Sequence, residues 1–403
     1  MKPIPVNPDR LLAELAELRR FGAQGKGVAR MAFSEPDLAS RALLAERMRD
    51  AGLEVTVDAC GNLFGIPPGV GPCLLIGSHS DTQPLGGWLD GIYGVLCGLE
   101  VARASLESGG PRVAVVSFQD EEGRFGGLTG SAVWAGVMPL AEADALHDAE
   151  GARFADARCT VGRIAPVAEV PAGRFSAYLE AHIEQGPVLD QSNEAIGVVE
   201  AIVGMRGFTL RFVGQANHAG TTPMHLRRDA LRAAAQFIRD LEEAFAPHVT
   251  EKTVWTHGHL AVEPNAASIV PGKASLSVQM RDPDSDRLET LMAIALELAE
   301  TIARDRELAL EIEQGPRFEP VPMSQALVAA ITAAAETHAA GAWRRMPSGA
   351  LHDASNVAQV LPVGMMFVPS IGGISHNPDE DTAPEHLVRG LVTLADAAGR
   401  LAS

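Results

Sequence analysis

At 403 residues, with 46% apolar and 21% charged side chains, the chain is long enough for one large domain and a smaller one, each with its own core. A formal charge of −18 sets its surface against nucleic acid and anionic membrane, leaving a small molecule or another protein as partner. No cationic, apolar leader opens the chain and no apolar run reaches the roughly 20 residues of a bilayer span, so a cytoplasmic address is expected. Cys60, Cys73, Cys97 and Cys159 lack CxxC spacing and read as reduced thiols.

Asn7-Pro8 and Ser34-Glu35-Pro36 each read as a cap and first turn, predicting helices through Arg20 and Asp50. Strands are expected at Leu53–Val57, Leu63–Ile66 and Cys73–Ile76, then a helix over Gly91–Leu106 and a strand over Val113–Phe118. Strands alternating with helices predict an α/β fold with a mostly parallel central sheet. A helix near Ser131, a strand over Ser176–Gly186 and another over Ile196–Val203 follow. From about Gly204 the texture changes. Strand Phe208–Val213, helix His225–Phe245, strands near Val254–Val262 and Ala274–Met280, helix Arg287–Arg304 and strand Leu308–Ile312 make a β-α-β-β-α-β order. That order is ferredoxin-like, and residues 204–317 are expected to form an inserted α+β domain within a discontinuous domain of 1–203 and 318–403. The chain then returns to α/β with helix Ser324–His338, a polar loop at Ser348–Asn356, strand Gly364–Val368, the loop Ser370–Asp381 and a terminal helix from about Pro384.

The stretch LLIGSHSDTQPLGGWLDGIYG ends a buried strand on His79 and Asp81 and brings Asp90 to the head of a helix, the edge where open α/β sheets carry their chemistry. It reads either as a polar loop capping a helix or as imidazole and carboxylate donors for a divalent ion. Glu121-Glu122 follow a second strand to the same edge, and His182 and Glu184 alternate along a third. With His376, these groups supply imidazoles, one carboxylate able to bridge two cations and one left to handle protons. His147, His248 and His338 read as solvated, and His257 with His259 as an exposed pair. Asn265 beside Pro264 reads equally as a turn former, and Arg281 at a strand end as a rim charge.

Six ordered motifs, GSHSDTQPLGGWLDG, QDEEGRFGG, LEAHIEQGPVL, VGQANHAGTTPMHLRRDAL, SGALHDASN and VPSIGGISHNPDE, resemble the dinuclear-zinc amidohydrolases related to aminoacylases and zinc carboxypeptidases. Within them the chain is most similar to the group holding N-carbamoyl-L-amino-acid amidohydrolase, β-ureidopropionase and allantoate amidohydrolase. The resemblance implies a zinc-exopeptidase-like catalytic domain whose inserted domain acts as lid and dimerisation element, and so a homodimer. It also implies two divalent ions, zinc first, with manganese, cobalt and nickel compatible with the same donors. His79, Asp90, Glu122, His182 and His376 would be the ligands, Asp90 bridging, with Glu121 as general base and then acid. Asp81 would orient His79, and Glu380 would serve near His376. His218, Asn265 and Arg281 would meet a carboxylate-bearing substrate, His218 across a subunit interface or within one chain, with Gln185 and His352 also in the pocket. The activity implied is hydrolysis of the carbamoyl C–N bond of an N-carbamoyl amino acid. Allantoate, β-ureidopropionate or an N-acyl amino acid are the alternatives, and a non-catalytic paralogue would show a broken ligand set.

Overall fold

Two helices open the chain, and each starts where its capping residue dictates. The Asn7 side chain accepts the Arg10 N–H at the head of α1 (Pro8–Leu18), and Ser34 accepts that of Asp37 at the head of α2 (Glu35–Asp50). This computed structural model describes residues 4–401. There follow β1 (Glu54–Val57), β2 (Leu63–Ile66), β3 (Cys73–His79), α3 (Ile92–Ser108), β4 (Val113–Phe118), β5 (Phe175–Ile183) and β6 (Ile196–Ile202). Next come β7 (Gly204–Val213), α4 (Ala230–Phe245), β8 (Val254–Thr256), β9 (Leu260–Glu263), β10 (Lys273–Asp282), α5 (Ser285–Asp305) and β11 (Ala309–Phe318). The chain closes with α6 (Gln325–His338), β12 (Trp343–Ser348), β13 (Val363–Val368) and α7 (Pro384–Leu401). Its contacts divide into two units, one running to Glu200 and resuming at Met323, the other spanning Ala201–Pro322.

In the first unit the large sheet runs β6-β13-β5-β3-β4-β2-β1, with β12 also on β6. The four strands β13, β5, β3 and β4 are parallel, and antiparallel pairs flank them. This is the mostly parallel α/β sheet expected from the sequence. Parallel strands buried on both faces need continuous apolar runs, and β4 (VAVVSF) and β13 (VGMMFV) are buried along their whole length. Helix α3 covers β3 and β4, while α6 and α7 pack together over β13.

The second unit holds one five-stranded antiparallel sheet, with the path β8-β10-β7-β11 and β9 also on β10. Helices α4 and α5 lie against its apolar face, where Phe208, Leu210, Phe212, Leu276, Val278 and Met280 meet Phe237, Leu241, Leu291 and Ile302. Strand β10 alternates strictly, burying Ala274, Leu276, Val278 and Met280.

Several boundaries differ from expectation for local reasons. The helix expected from His225 starts at Ala230, because Asp229 accepts the Arg232 N–H there and the Arg227 guanidinium ties the preceding loop to the Thr222 and Ala219 carbonyls. The strand expected over Val254–Val262 breaks at His257-Gly258-His259 into β8 and β9, both paired with β10. β11 runs on to Phe318, past a register shift between Gln314 and Arg317. β12, unforeseen, carries Arg344, Arg345 and a proline, an edge-strand composition with no apolar alternation.

Candidate metal centre

The strand order explains the site. Adjacent parallel strands β4, β3, β5 and β13 end side by side, and Glu121-Glu122, His79, His182 and the loop to His376 leave from those four ends. Asp90 joins from the turn before α3. The donor atoms form two groups, His79–Asp90–His182 and Asp90–Glu122–His376, each gathered within 4.8 Å and sharing Asp90.

Second contacts fix which nitrogens face the cluster. A carbonyl oxygen can only accept, so His79 donates from Nδ1 to the Asp81 oxygen (3.1 Å) and His182 from Nδ1 to the Ile183 oxygen (2.8 Å). Both Nε2 lone pairs therefore point inward. His79 Nε2 lies 3.6 Å from Asp90 Oδ1 and 3.6 Å from Glu121 Oε2, and His182 Nε2 lies 3.0 Å from Asp90 Oδ1. Among the described residues the buried His182 Nε2 makes no well-aligned hydrogen bond, Asp90 Oδ1 at 3.0 Å being its near neighbour. On the other side, His376 Nε2 is 3.3 Å from Asp90 Oδ2 and 3.4 Å from Glu122 Oε2. The first group is buried throughout, whereas the His376 side chain is 49% exposed. Gly91 carries φ +65°, and a Cβ there would fall 2.4 Å from the His79 ring.

Electrostatically the cluster is an acid-rich site asking for cations. Burial works against the Asp90 charge, yet the His182, His376 and His79 imidazoles hold it well below the usual carboxylate range. Burial, opposed by His79 and reinforced by Asp353, Glu122 and Asp90, drives the Glu121 carboxyl well above its ordinary value. Burial and Asp90 push Glu122 to about 7, while the Asp90 hydrogen bond lifts His376 to about 9. For His79, burial is outweighed by Glu121, Asp81 and Asp90, and its pKa is raised well above the usual value. Imidazole and carboxylate donors converging on shared positions, with an orphaned buried nitrogen aimed at them, fit a pair of divalent ions.

The supporting residues depart from their expected partners. The Asp81 carboxylate lies 3.7 Å from His79 Nδ1; it is the Asp81 backbone oxygen that takes the hydrogen bond, and the carboxylate instead accepts the Glu122 N–H at 3.2 Å. Glu380, expected to serve near His376, helps Asp90 raise that imidazole's pKa by its charge, accepts the hydroxyl of the preceding Ser375 (2.8 Å), and also accepts the Leu89 and Asp90 N–H groups (3.1 and 3.2 Å), holding the Asp90 backbone. Gln185, at φ +56°, donates to Asp90 Oδ2 at 2.9 Å and sits 3.3 Å from His376 Nε2. His352 is 1% exposed; it packs edge-on against His182 with ring centroids 4.5 Å apart and meets Ser348 Oγ at 2.9 Å. Burial and His182 depress its pKa well below the usual value, so His352 is a neutral ring packed behind the His182 donor.

His218, Asn265 and Arg281 belong to the second unit. His218 Nδ1 accepts the Gly220 and Thr221 N–H groups (3.0 and 3.2 Å), which leaves the proton on Nε2. Asn265 is exposed at φ +53°. Arg281 on β10 reaches the Gln279 amide oxygen from Nε (3.4 Å) and Nη2 (3.3 Å).

Glu180 and Asp353 are further buried acids of the site that the sequence reading did not single out. Glu180 accepts from Ser78 Oγ (2.7 Å) and the Ala354 N–H (3.1 Å), and Asp353 adds to the field at Glu121. Their signal was available: Glu180 precedes His182 by two positions on β5, and so shares its face. Glu184, next on that face, caps the short helix Val188–Ser192 through the Val188 and Leu189 N–H groups.

A sheet-edge centre of this kind defines a metal-dependent hydrolase, and the comparisons agree. Residues 75–400 match peptidase family M20/M25/M40, and the chain belongs to it. It is 37% identical over 398 residues to the N-carbamoyl-L-amino-acid amidohydrolase of Paenarthrobacter aurescens, covering 95% of each chain. It is equally 37% identical over 392 residues to the allantoate amidohydrolase of Escherichia coli K12, covering 94% of each. Among solved structures, an amidase of the hydantoinase/carbamoylase family from Burkholderia phymatum superposes with a TM-score of 0.94 at 43% identity, over 100% of this chain and 99% of that one.

Proposed function

We propose that this enzyme hydrolyses the carbamoyl C–N bond of an N-carbamoyl-L-amino acid, with water consumed and the amino acid, ammonia and carbon dioxide released. The observation that carries the reading is the pair of donor groups sharing Asp90, with the Glu121 carboxylate beside them and outside both. His79 and His182 would hold one divalent ion, Glu122 and His376 the other, and Asp90 both. Zinc is the first candidate, and manganese, cobalt or nickel suit the same donors. When bound, the ions polarise the substrate carbonyl and acidify water.

The chain's own groups supply the rest. Glu121, pushed up by burial, takes the proton of the attacking water and returns it to the departing nitrogen. His218 offers an Nε2–H, fixed by two backbone donors to Nδ1, to the developing oxyanion. Arg281 holds the substrate carboxylate in its planar fork, and Asn265 gives a further polar contact. Gln185 sits beside Asp90 where its amide can reach the same substrate. We further propose that Ala201–Pro322 acts as lid and dimerisation domain, that the enzyme works as a homodimer, and that it resides in the cytoplasm.

Equal identity to an allantoate amidohydrolase favours allantoate as the second reading. The test is a panel of N-carbamoyl-L-amino acids, β-ureidopropionate, allantoate and N-acetyl amino acids, assayed with zinc- or manganese-loaded enzyme by release of ammonia and of the amino group. The highest kcat/KM is expected on N-carbamoyl-L-amino acids. Preference for allantoate replaces the first reading by the second, and turnover of N-acetyl substrates alone overturns both.

A further inference from the structure

The carboxyl ends of β3 and β4 have to be held at a fixed spacing, because His79 leaves one and Glu121-Glu122 leave the other. The two strands are in register there, His79 opposite Phe118, but the ladder ends at that pair. What continues past it is a side chain from another element. Arg41, on the buried stripe of α2 with Asp37, Leu44, Ala45 and Met48, is fully buried. Its guanidinium is spent on hydroxyls and carbonyls of the strand ends. Nη1 donates to Ser80 Oγ (3.2 Å), Ser117 Oγ (3.1 Å) and the Phe118 carbonyl (3.4 Å). Nη2 donates to the Ser117 carbonyl (3.2 Å) and to that of Gly61.

One fork thus spans the residue after His79 and the last residues before the Gln119–Glu122 exit. The two hydroxyls it touches are themselves joined, Ser117 Oγ to Ser80 Oγ at 3.0 Å. One turn earlier on α2, Asp37 Oδ2 accepts the Gln119 side-chain amide at 2.8 Å, so the same helix face also grips the exit of β4. The buried carboxylates of Asp37, Asp81 and Asp58 offset the guanidinium's burial through their field but do not outweigh it, so burying it is costly, and a fold needing only apolar packing between α2 and the sheet would place an aliphatic residue there.

We infer that Arg41 is a positioning residue of the metal centre: its guanidinium fixes the spacing of the β3 and β4 carboxyl ends, and with it the geometry between His79 and the Glu121-Glu122 pair. The inference rests on the proposed ligand set, but not on the identity of the substrate. The planar fork is the essential feature, since an ammonium at the same place reaches fewer of these acceptors and cannot span both strands.

The test compares Arg41→Lys and Arg41→Met with wild type and with Arg49→Met; Arg49 lies on the same helix, and its guanidinium, among the described residues, donates to the Ile164 carbonyl. Zinc affinity is measured by competition with a chelating dye, thermal unfolding is followed by circular dichroism, and kcat and KM are separated on the best substrate of the panel. Arg41→Met should fold, bind zinc about tenfold or more weaker, and lose kcat with little change in KM; Arg41→Lys should shift in the same direction by less, and Arg49→Met in neither. If Arg41→Met does not fold, the double variant Ser80→Ala/Ser117→Ala, which removes two acceptors and leaves the charge in place, should show the same zinc weakening. A lower melting temperature with wild-type zinc affinity and kcat in the folded variants overturns the inference. Zinc affinity is read without turnover, so an enzyme inactive on the whole panel sinks the substrate reading and leaves the clamp separately measured.

Discussion

Glu121 and Glu122 are neighbours in the chain, and the backbone separates their tasks. The residue before them, Asp120, takes φ +57°, and its carboxylate receives the Phe125 and Gly126 N–H groups and the Thr129 hydroxyl, so the chain turns sharply as it leaves β4. Glu122 is then tied down by Gln83, whose amide donates to Oε2 at 2.7 Å, while Glu121 faces His79. A carboxylate that lies beside His79 yet belongs to neither donor group is free to move protons. Glu121→Gln should therefore keep both ions, by elemental analysis, and lose about a thousandfold in kcat; activity within a few-fold of wild type would show that the base is elsewhere. Arg281 makes a different demand. Arg281→Ala should raise KM about thirtyfold, the worth of a charge-assisted pair of about 2 kcal/mol, while kcat falls less. The effect should vanish on a substrate whose carboxylate is replaced by an amide, and its persistence there would dismiss the clamp.

At the scale of elements, the turn from Asp90 into α3 carries a constraint that only coordinates reveal. Gly91 is the residue between Asp90 and the helix, and a methyl group there would collide with the Nε2 edge of His79 at a φ that disfavours any side chain. Gly91→Ala should fold, because the strain is local, and weaken zinc binding about tenfold or more; unchanged affinity in a dye-competition titration would show that the ring has room to retreat. The glycine was visible in the sequence and its reason was not. The same division runs through the whole site. His79, Asp90, Glu121-Glu122, His182 and His376 were legible because each sits at a strand end or loop whose apolar run and breaker residues mark it. Partnerships were not legible. Asp81 offers a carbonyl rather than a carboxylate to His79, and Glu380, beside His376, also holds the Asp90 backbone, because side-chain direction in a loop follows from long-range packing. Strand β12 was missed for a related reason: it lies at the edge on β6, and its sequence WRRMPS carries no apolar alternation to betray it.

Over the whole molecule, every proposed ligand lies in the unit that runs to Glu200 and resumes at Met323, although the donors are separated by up to the length of the inserted unit and more. Metal binding by the proposed ligands would tie β3, β4, β5 and the loop after β13 to one another, and would add stability only where those segments are. The helices α4 and α5 rest on a separate core, Phe208 through Ala303, which contains no donor. Removing the ions with a chelator should abolish activity, and readdition of zinc or manganese should restore it. In hydrogen exchange, stripping should deprotect residues 76–94, 117–130, 180–190 and 368–382, by up to about 2.7 kcal/mol if the ion had been present at a hundred times its dissociation constant. Residues 230–245 and 285–305 should exchange as before. Because the His376 side chain is half exposed whereas His79 and His182 are buried, the Asp90–Glu122–His376 group should empty first, giving a one-ion state at intermediate chelator. Loss of both ions in a single step, or deprotection spreading evenly into α4 and α5, would mean that the two groups, or the two cores, are coupled more tightly than their separate packing implies.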